Sequence, residues 1–155
     1  MRMSCVILAT LFLTSTASAR VNPRLKDVHK IYVDQLRNVG TEHGKTVVMA
    51  WGSSDEVREA LVAALASSAR FAAVKEEAKA DAEIEGTAGY VKSEKDGKKF
   101  TSGFARLELI DIKSKEVLWT FQYERTPGTG GKAADRVANQ FIEALLMDAQ
   151  VADNP

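Results

Sequence analysis

The chain has 155 residues, with 21 lysine and arginine side chains balanced by 21 aspartates and glutamates, two histidines and a single cysteine. Balanced charge argues against a nucleic-acid binder, which needs clustered positive charge to displace counterions, and against a polybasic membrane-surface role. One cysteine cannot build a disulfide framework, so the domain has to stand on its apolar core.

The chain opens on an address. Arg2 supplies a short positive region, residues 6–13 (VILATLFL) form an apolar run, and Ala17-Ser18-Ala19 is the small-x-small pattern of a secretory signal peptide, with cleavage expected between Ala19 and Arg20. The run falls well short of the ~20 residues that span a bilayer, so no transmembrane helix is expected after cleavage. Cys5 precedes the apolar run, where a lipidated cysteine would have to follow it. Its removal with the leader leaves no thiol for catalysis, redox exchange or metal binding. The expected location is periplasmic or secreted.

Residues 20–30 are polar, contain Pro23 and read as a lead-in. Ile31-Tyr32-Val33 starts a strand. Residues 38–45 (NVGTEHGK) are turn-rich, and 47–51 (VVMAW) suit a strand or a helical turn equally. Ser53-Ser54-Asp55-Glu56 predicts a helix start, with Ser53 capping and Glu56 completing a capping box. Val57, Leu61 and Leu65, with Ala60 and Ala64, then give a narrow apolar face that ends near Arg70. Phe71–Val74 reads as a short strand and 76–80 as a turn.

The remainder predicts an antiparallel meander. In 82–91 (AEIEGTAGYV) small and apolar residues alternate with Glu83, Glu85 and Thr87, the period-two pattern of a half-buried strand. Asp96-Gly97 signals a hairpin turn. Ala105, Leu107 and Leu109 alternate with Arg106 and Glu108, and Trp119, Phe121 and Tyr123 alternate with Thr120, Gln122 and Glu124. After 127–131 a last helix carries Val137, Phe141 and Leu145. The order predicts one α+β domain over 31–149, a mainly antiparallel sheet of about five strands with both helices on one face, and a tail over 150–155.

No chemical motif is complete. TPGTGGKAADR (126–136) has the look of a phosphate loop, but a P-loop needs glycine where Thr126 stands and a hydroxyl where Ala133 stands. It is expected to be a connector, with neither nucleotide nor other cofactor bound. His29 and His43, with Asp27 or Glu42, lack metal-site spacing. Gly52-Ser53-Ser54 lacks the second glycine of a nucleophile elbow. Glu83 and Glu85 share one strand face, with Arg106 and Glu108 on a neighbour. Their spacing permits acid–base chemistry, while alternating charge is also the ordinary solvent face of an antiparallel sheet. Trp119, Phe121 and Tyr123 read as core, and Trp51 as the better candidate for an exposed binding aromatic.

The helix ending in SSARFAAV, followed by ADAEIEGTAGYV, FARLELIDIKSKEVLW and the closing helix, resembles the amino-terminal domain of TolB and the related α/β unit of CsgG-type envelope proteins. Phe71 and Val74, Ala80-Asp81-Ala82 with Gly86, Leu107, Leu109 and Asp111, and Val117-Leu118-Trp119 carry the likeness, which spans roughly 31–147. Lys115 stands where that family usually has glycine, residues 38–52 look inserted, and no β-propeller follows. The resemblance implies a non-enzymatic interaction domain of the bacterial envelope with an envelope protein as partner. The expected working surface is either a sheet edge or the charged face of Glu83, Glu85, Arg106 and Glu108, with Trp51. Two alternatives stay open: a small hydrolase using sheet-face carboxylates, and a carrier of a small apolar ligand beneath the aromatic strand.

Overall fold

The computed structural model describes residues 21–123 and 132–154. Among the described residues seven strands and two α-helices follow one another as β1 (Lys30–Val33), β2 (Val39–Glu42), β3 (Lys45–Val48), α1 (Ser53–Ser67), β4 (Ala72–Val74), β5 (Ala82–Lys95), β6 (Lys98–Asp111), β7 (Val117–Tyr123) and α2 (Ala133–Asp153), with short 3-10 turns at Pro23–Asp27 and Glu77–Lys79. Five strands form the main sheet in the order β4-β1-β5-β6-β7, and β2 and β3 pair as a separate hairpin. The fold is α+β, as the element order predicts.

The sheet is mixed rather than mainly antiparallel. β1 runs parallel to both β4 and β5, while β5–β6 and β6–β7 are antiparallel. The reason is topological. β1 is followed by the hairpin and α1, and a strand returning after a helical crossover lies parallel to the one that left.

Alternation assigns the two faces. Ala82, Ile84 and Ala88 of β5 pair with Asp111, Leu109 and Ala105 of β6, and Leu107, Leu109 and Ala105 stand beside Phe121, Trp119 and Tyr123 of β7. This side is covered by both helices: Val57, Leu61 and Leu65 of α1 and Val137, Phe141, Leu145 and Ala149 of α2 complete one continuous core. Phe141 meets Trp119 and Phe121 edge-on, each at 5.3 Å between centroids, a favoured aromatic geometry. The space an apolar ligand would need beneath the aromatic strand is filled by that ring. Gly103 lets α2 approach, since a Cβ there would lie 2.6 Å from Val137 Cγ2.

Two aspartates hold the strand ends. Asp81 accepts the amides of His29 (3.0 Å) and Lys30 (2.8 Å). Asp111 accepts the amides of Lys113 (3.0 Å) and Ser114 (2.7 Å) and binds Arg24 at 2.7 Å. The Ser114 amide, before any other partner, holds the Asp111 carboxyl below its ordinary value.

Two local expectations are corrected. Ser53 is the first residue of α1 and not its cap; Gly52 occupies the cap position in the left-handed region (φ 73), and no side chain bonds the first amides. Ser53 is instead fully buried, pressed against β5 where a Cβ on Gly89 would lie 2.5 Å from its Oγ. Glu56 does not reach back, because its carboxylate accepts the Tyr90 hydroxyl at 3.1 Å. The stretch expected as a tail is mostly helix, since α2 continues to Asp153 with Ala149 and Ala152 buried in the same three-four rhythm. Asp153 closes that end through an ion pair with Arg70. Lys132 is the residue before α2, and residues 126–131 of the expected connector lie outside the described residues.

Candidate functional site

The segment that looks inserted is a third layer. His43 (φ 48) and Gly44 (φ 74) form a two-residue turn with both residues left-handed, the geometry that matches strand twist in a tight hairpin. The β2–β3 hairpin lies on the face of the sheet opposite the helices. Gly40 sits over Phe104 and Thr87; a Cβ there would approach the Phe104 ring to 2.9 Å. Thr87 Oγ1 donates to the Val39 carbonyl at 3.3 Å, and Arg106 Nε donates to the Thr41 carbonyl at 3.2 Å. Phe104 is 1% exposed yet stands outside the main core, so the hairpin is what buries it.

This layer divides the charged residues expected to share one open face. Glu83 is 4% exposed and leaves the candidate surface. Its carboxylate accepts the Lys115 ammonium at 2.8 Å, and Lys115 also reaches Glu77 at 3.3 Å. The bond to Glu83 is the main reason that the ammonium's pKa lies above its ordinary value. Lys115 has φ 56, the left-handed conformation in which glycine is at ease. A lysine at this turn therefore exchanges backbone ease for a counter-ion to an almost buried carboxylate.

Arg106 is spent on the hairpin, with its guanidinium 5.7 Å from the Phe104 ring centre. Glu85 and Glu108 remain. They stand directly opposite each other on β5 and β6, in an open groove of about 520 Å³ that Arg37, Thr120 and Gln122 also line. Two like charges facing each other across strands destabilise the pair modestly.

Trp51 is the exposed aromatic the sequence suggests. It is 95% exposed, and the chain holds it there. The Met49 amide bonds the Asn38 carbonyl (2.9 Å), the Ala50 amide the Tyr90 carbonyl (2.8 Å) and the Ser53 amide the Ala50 carbonyl (3.0 Å). With Gly52 left-handed beside it, the linker turns sharply from hairpin to helix and presents Trp51 outward. A groove beside it is lined by Gln35, Arg37, Asn38 and Asp55. Val39 and Val48, paired on the hairpin, are 46% and 63% exposed. These valines and Arg37 were not singled out by the sequence. The signal for them was the alternation of Val39 and Thr41 against Thr46 and Val48 around His43-Gly44.

His29 precedes β1 and His43 sits at the hairpin turn. Among the described residues no group of three or more metal-ligating side chains gathers, and no helix is long and apolar enough to cross a membrane.

No known protein family matches the chain, and no curated protein matches it in sequence. Solved structures do resemble it. The hypothetical protein CT253 from Chlamydia trachomatis is 10% identical, with a TM-score of 0.50 over 81% of this chain and 96% of that one. The PelC dodecamer from Paraburkholderia phytofirmans is 18% identical, with a TM-score of 0.47 over 79% and 86%. Protein XCC0632 from Xanthomonas campestris is 11% identical, with a TM-score of 0.45 over 83% and 89%. At 10% identity the likeness to CT253 is one of fold.

Proposed function

We propose that the protein is an exported, non-enzymatic interaction module of the cell envelope that grips a protein partner through the Trp51 flank. The observation that carries this reading is the near-complete exposure of Trp51 on a linker fixed by three backbone hydrogen bonds. A large aromatic left in water gains most when a partner covers it, and tryptophan and arginine dominate the energetics of protein interfaces. Arg37 and the paired valines extend the surface around it. The leader-like segment at 1–19 and the resemblance to TolB-type amino-terminal domains support the compartment and the class. Affinity capture from the crosslinked envelope fraction should recover a stoichiometric partner, and Trp51→Ala should lose it while staying folded. Repeated failure to capture one, or equal capture by the variant, sinks the reading.

One observation favours a second reading. Glu85 and Glu108 face each other in an open groove, which suits a carboxylate-based hydrolase acting on wall or glycan material. Glu85→Gln and Glu108→Gln would then each abolish turnover without unfolding the protein. Turnover that survives both substitutions discards this alternative.

A further inference from the structure

The groove beside Trp51 holds more hydrogen-bond donors than the fold uses. It has a volume of about 610 Å³, and Gly52, Ser54 and Asp55 from the start of α1 line it together with Gln35, Arg37 and Asn38. A helix start leaves backbone amides without partners inside the helix. Here the Ser53 amide bonds the Ala50 carbonyl at 3.0 Å and the Glu56 amide bonds the Gly52 carbonyl at 3.1 Å. The amides of Ser54 and Asp55 meet no acceptor among the described residues.

Two side chains add to these amides independently. Ser54 is 8% exposed and lines the groove, and its hydroxyl has no hydrogen-bond partner among the described residues. A buried hydroxyl left unpaired costs free energy that a ligand can recover. Arg37 is fixed at its backbone, its amide bonded to the Gly86 carbonyl at 3.0 Å and its carbonyl to the Ala88 amide at 3.2 Å. Its guanidinium makes no hydrogen bond or ion pair among the described residues, although Glu85 and Glu108 lie along the neighbouring groove. Free amides at a helix start, a hydroxyl and a guanidinium together suit an anion. Asp55 narrows the choice, because its own charge beside the groove tolerates one negative charge better than two. Trp51 and Val39 make the rest of the wall apolar.

We infer that the groove takes the free C-terminal carboxylate of the partner chain, with an apolar last residue lying against Trp51 and Val39. A carboxylate is a planar monoanion, and its two oxygens accept from the Ser54 and Asp55 amides, the Ser54 hydroxyl and the Arg37 guanidinium. At a chain terminus one residue supplies both the charge and the apolar group that the groove combines. A phosphate supplies only charge, and more of it than Asp55 favours. The inference rests on the Trp51 reading and names the part of the partner which that surface takes.

The test titrates the full chain with acetylated tetrapeptides ending in leucine, isoleucine, valine or phenylalanine, each as the free acid and as the carboxamide. At least one acid should shift the Ser54 and Asp55 amide resonances saturably, and its carboxamide should bind about tenfold or more weakly, the effect of losing a charged hydrogen-bond partner. Arg37→Ala should weaken that acid by about the same factor. Ser54→Ala should weaken it with an unchanged urea midpoint, since the hydroxyl holds nothing in the free protein. The inference is overturned by acids and carboxamides that bind alike, by no saturable shift with any acid, or by binding that both variants keep. Acetate or inorganic phosphate that binds as tightly as the best acid overturns it too. Trp51→Ala separates the two claims: if it loses the crosslinked partner while every peptide fails, the carboxylate inference falls and the Trp51 reading stands.

Discussion

Phe104→Ala tests whether the hairpin layer is a docked unit that shapes the candidate surface. In a core that cannot relax, losing a phenylalanine ring costs about 3–5 kcal/mol. Phe104 differs because it is buried beneath the hairpin and outside the main core. The hairpin can lift away, so the loss is limited to what docking contributes. That is about 1.5–3 kcal/mol for burying the ring, plus about 0.5–1.5 kcal/mol for each of the bonds at Val39 and Thr41, which survive in part. The expected loss is about 1.5–3 kcal/mol, the ring's share, and it should be local. Hydrogen exchange should show the amides of 39–48 losing protection far more than those of α1 and α2. Gly40→Ala should act in the same direction, because its Cβ would meet the Phe104 ring at 2.9 Å and Thr87 Cγ2 at 3.1 Å. If hairpin amides keep their protection while the helices loosen, Phe104 belongs to the main core and the layered account is wrong.

Three further outcomes follow from the charged groups. Lys115→Gly relieves a left-handed backbone but strands Glu83, so it should destabilise despite the better turn residue. With Glu83→Gln in a double-mutant cycle, thermal or urea unfolding should reveal a coupling term, and strict additivity would deny the pair. Asp111 titrates below its ordinary 3.8 when folded. Its contribution is therefore present above the unfolded pKa and lost as pH falls through the folded one. Asp111→Asn should flatten the stability slope below about pH 4, the range of an unperturbed aspartate, and an unchanged acid slope would contradict this. Glu108→Gln, by relieving repulsion against Glu85, should stabilise by about 0.2–1 kcal/mol, and a loss in urea unfolding would show that the pair is held by something unseen.

What the sequence reveals is set by the range of each signal. The strand over 82–91, the alternation along 105–109, the Asp96-Gly97 turn and the Val57–Leu61–Leu65 spacing are local signals that the fold keeps, although Glu83 and Thr87 of 82–91 are buried and not on an open face. Strand direction is not local, because nothing in Ile31-Tyr32-Val33 states whether a partner runs parallel, and the parallel pairing of β1 with β4 and β5 is set by the fold. The hairpin was hidden because His43-Gly44 replaces the usual asparagine-glycine pair and each strand is only four residues long. Ser53 looked like a cap because serine before an apolar run usually is one. It is buried instead, because Gly52 turns the chain left-handed one residue earlier. Glu83 has the alternation of a solvent-facing residue, and only the fold brings Lys115 over it. Trp51 was legible as exposed because it sits beside a glycine outside any periodic run, whereas Arg37, Val39 and Val48 required the hairpin to bring them together.

The central claim is that Trp51 is the contact point for a protein partner. Its most direct test is a photo-crosslinking amino acid placed at position 51 and irradiated in intact cells, with Lys26, on an exposed stretch away from the hairpin, as the control site. The account predicts one dominant adduct to an envelope protein from position 51 and none from position 26. A position 51 that yields no adduct, or the same diffuse adducts as position 26, contradicts it.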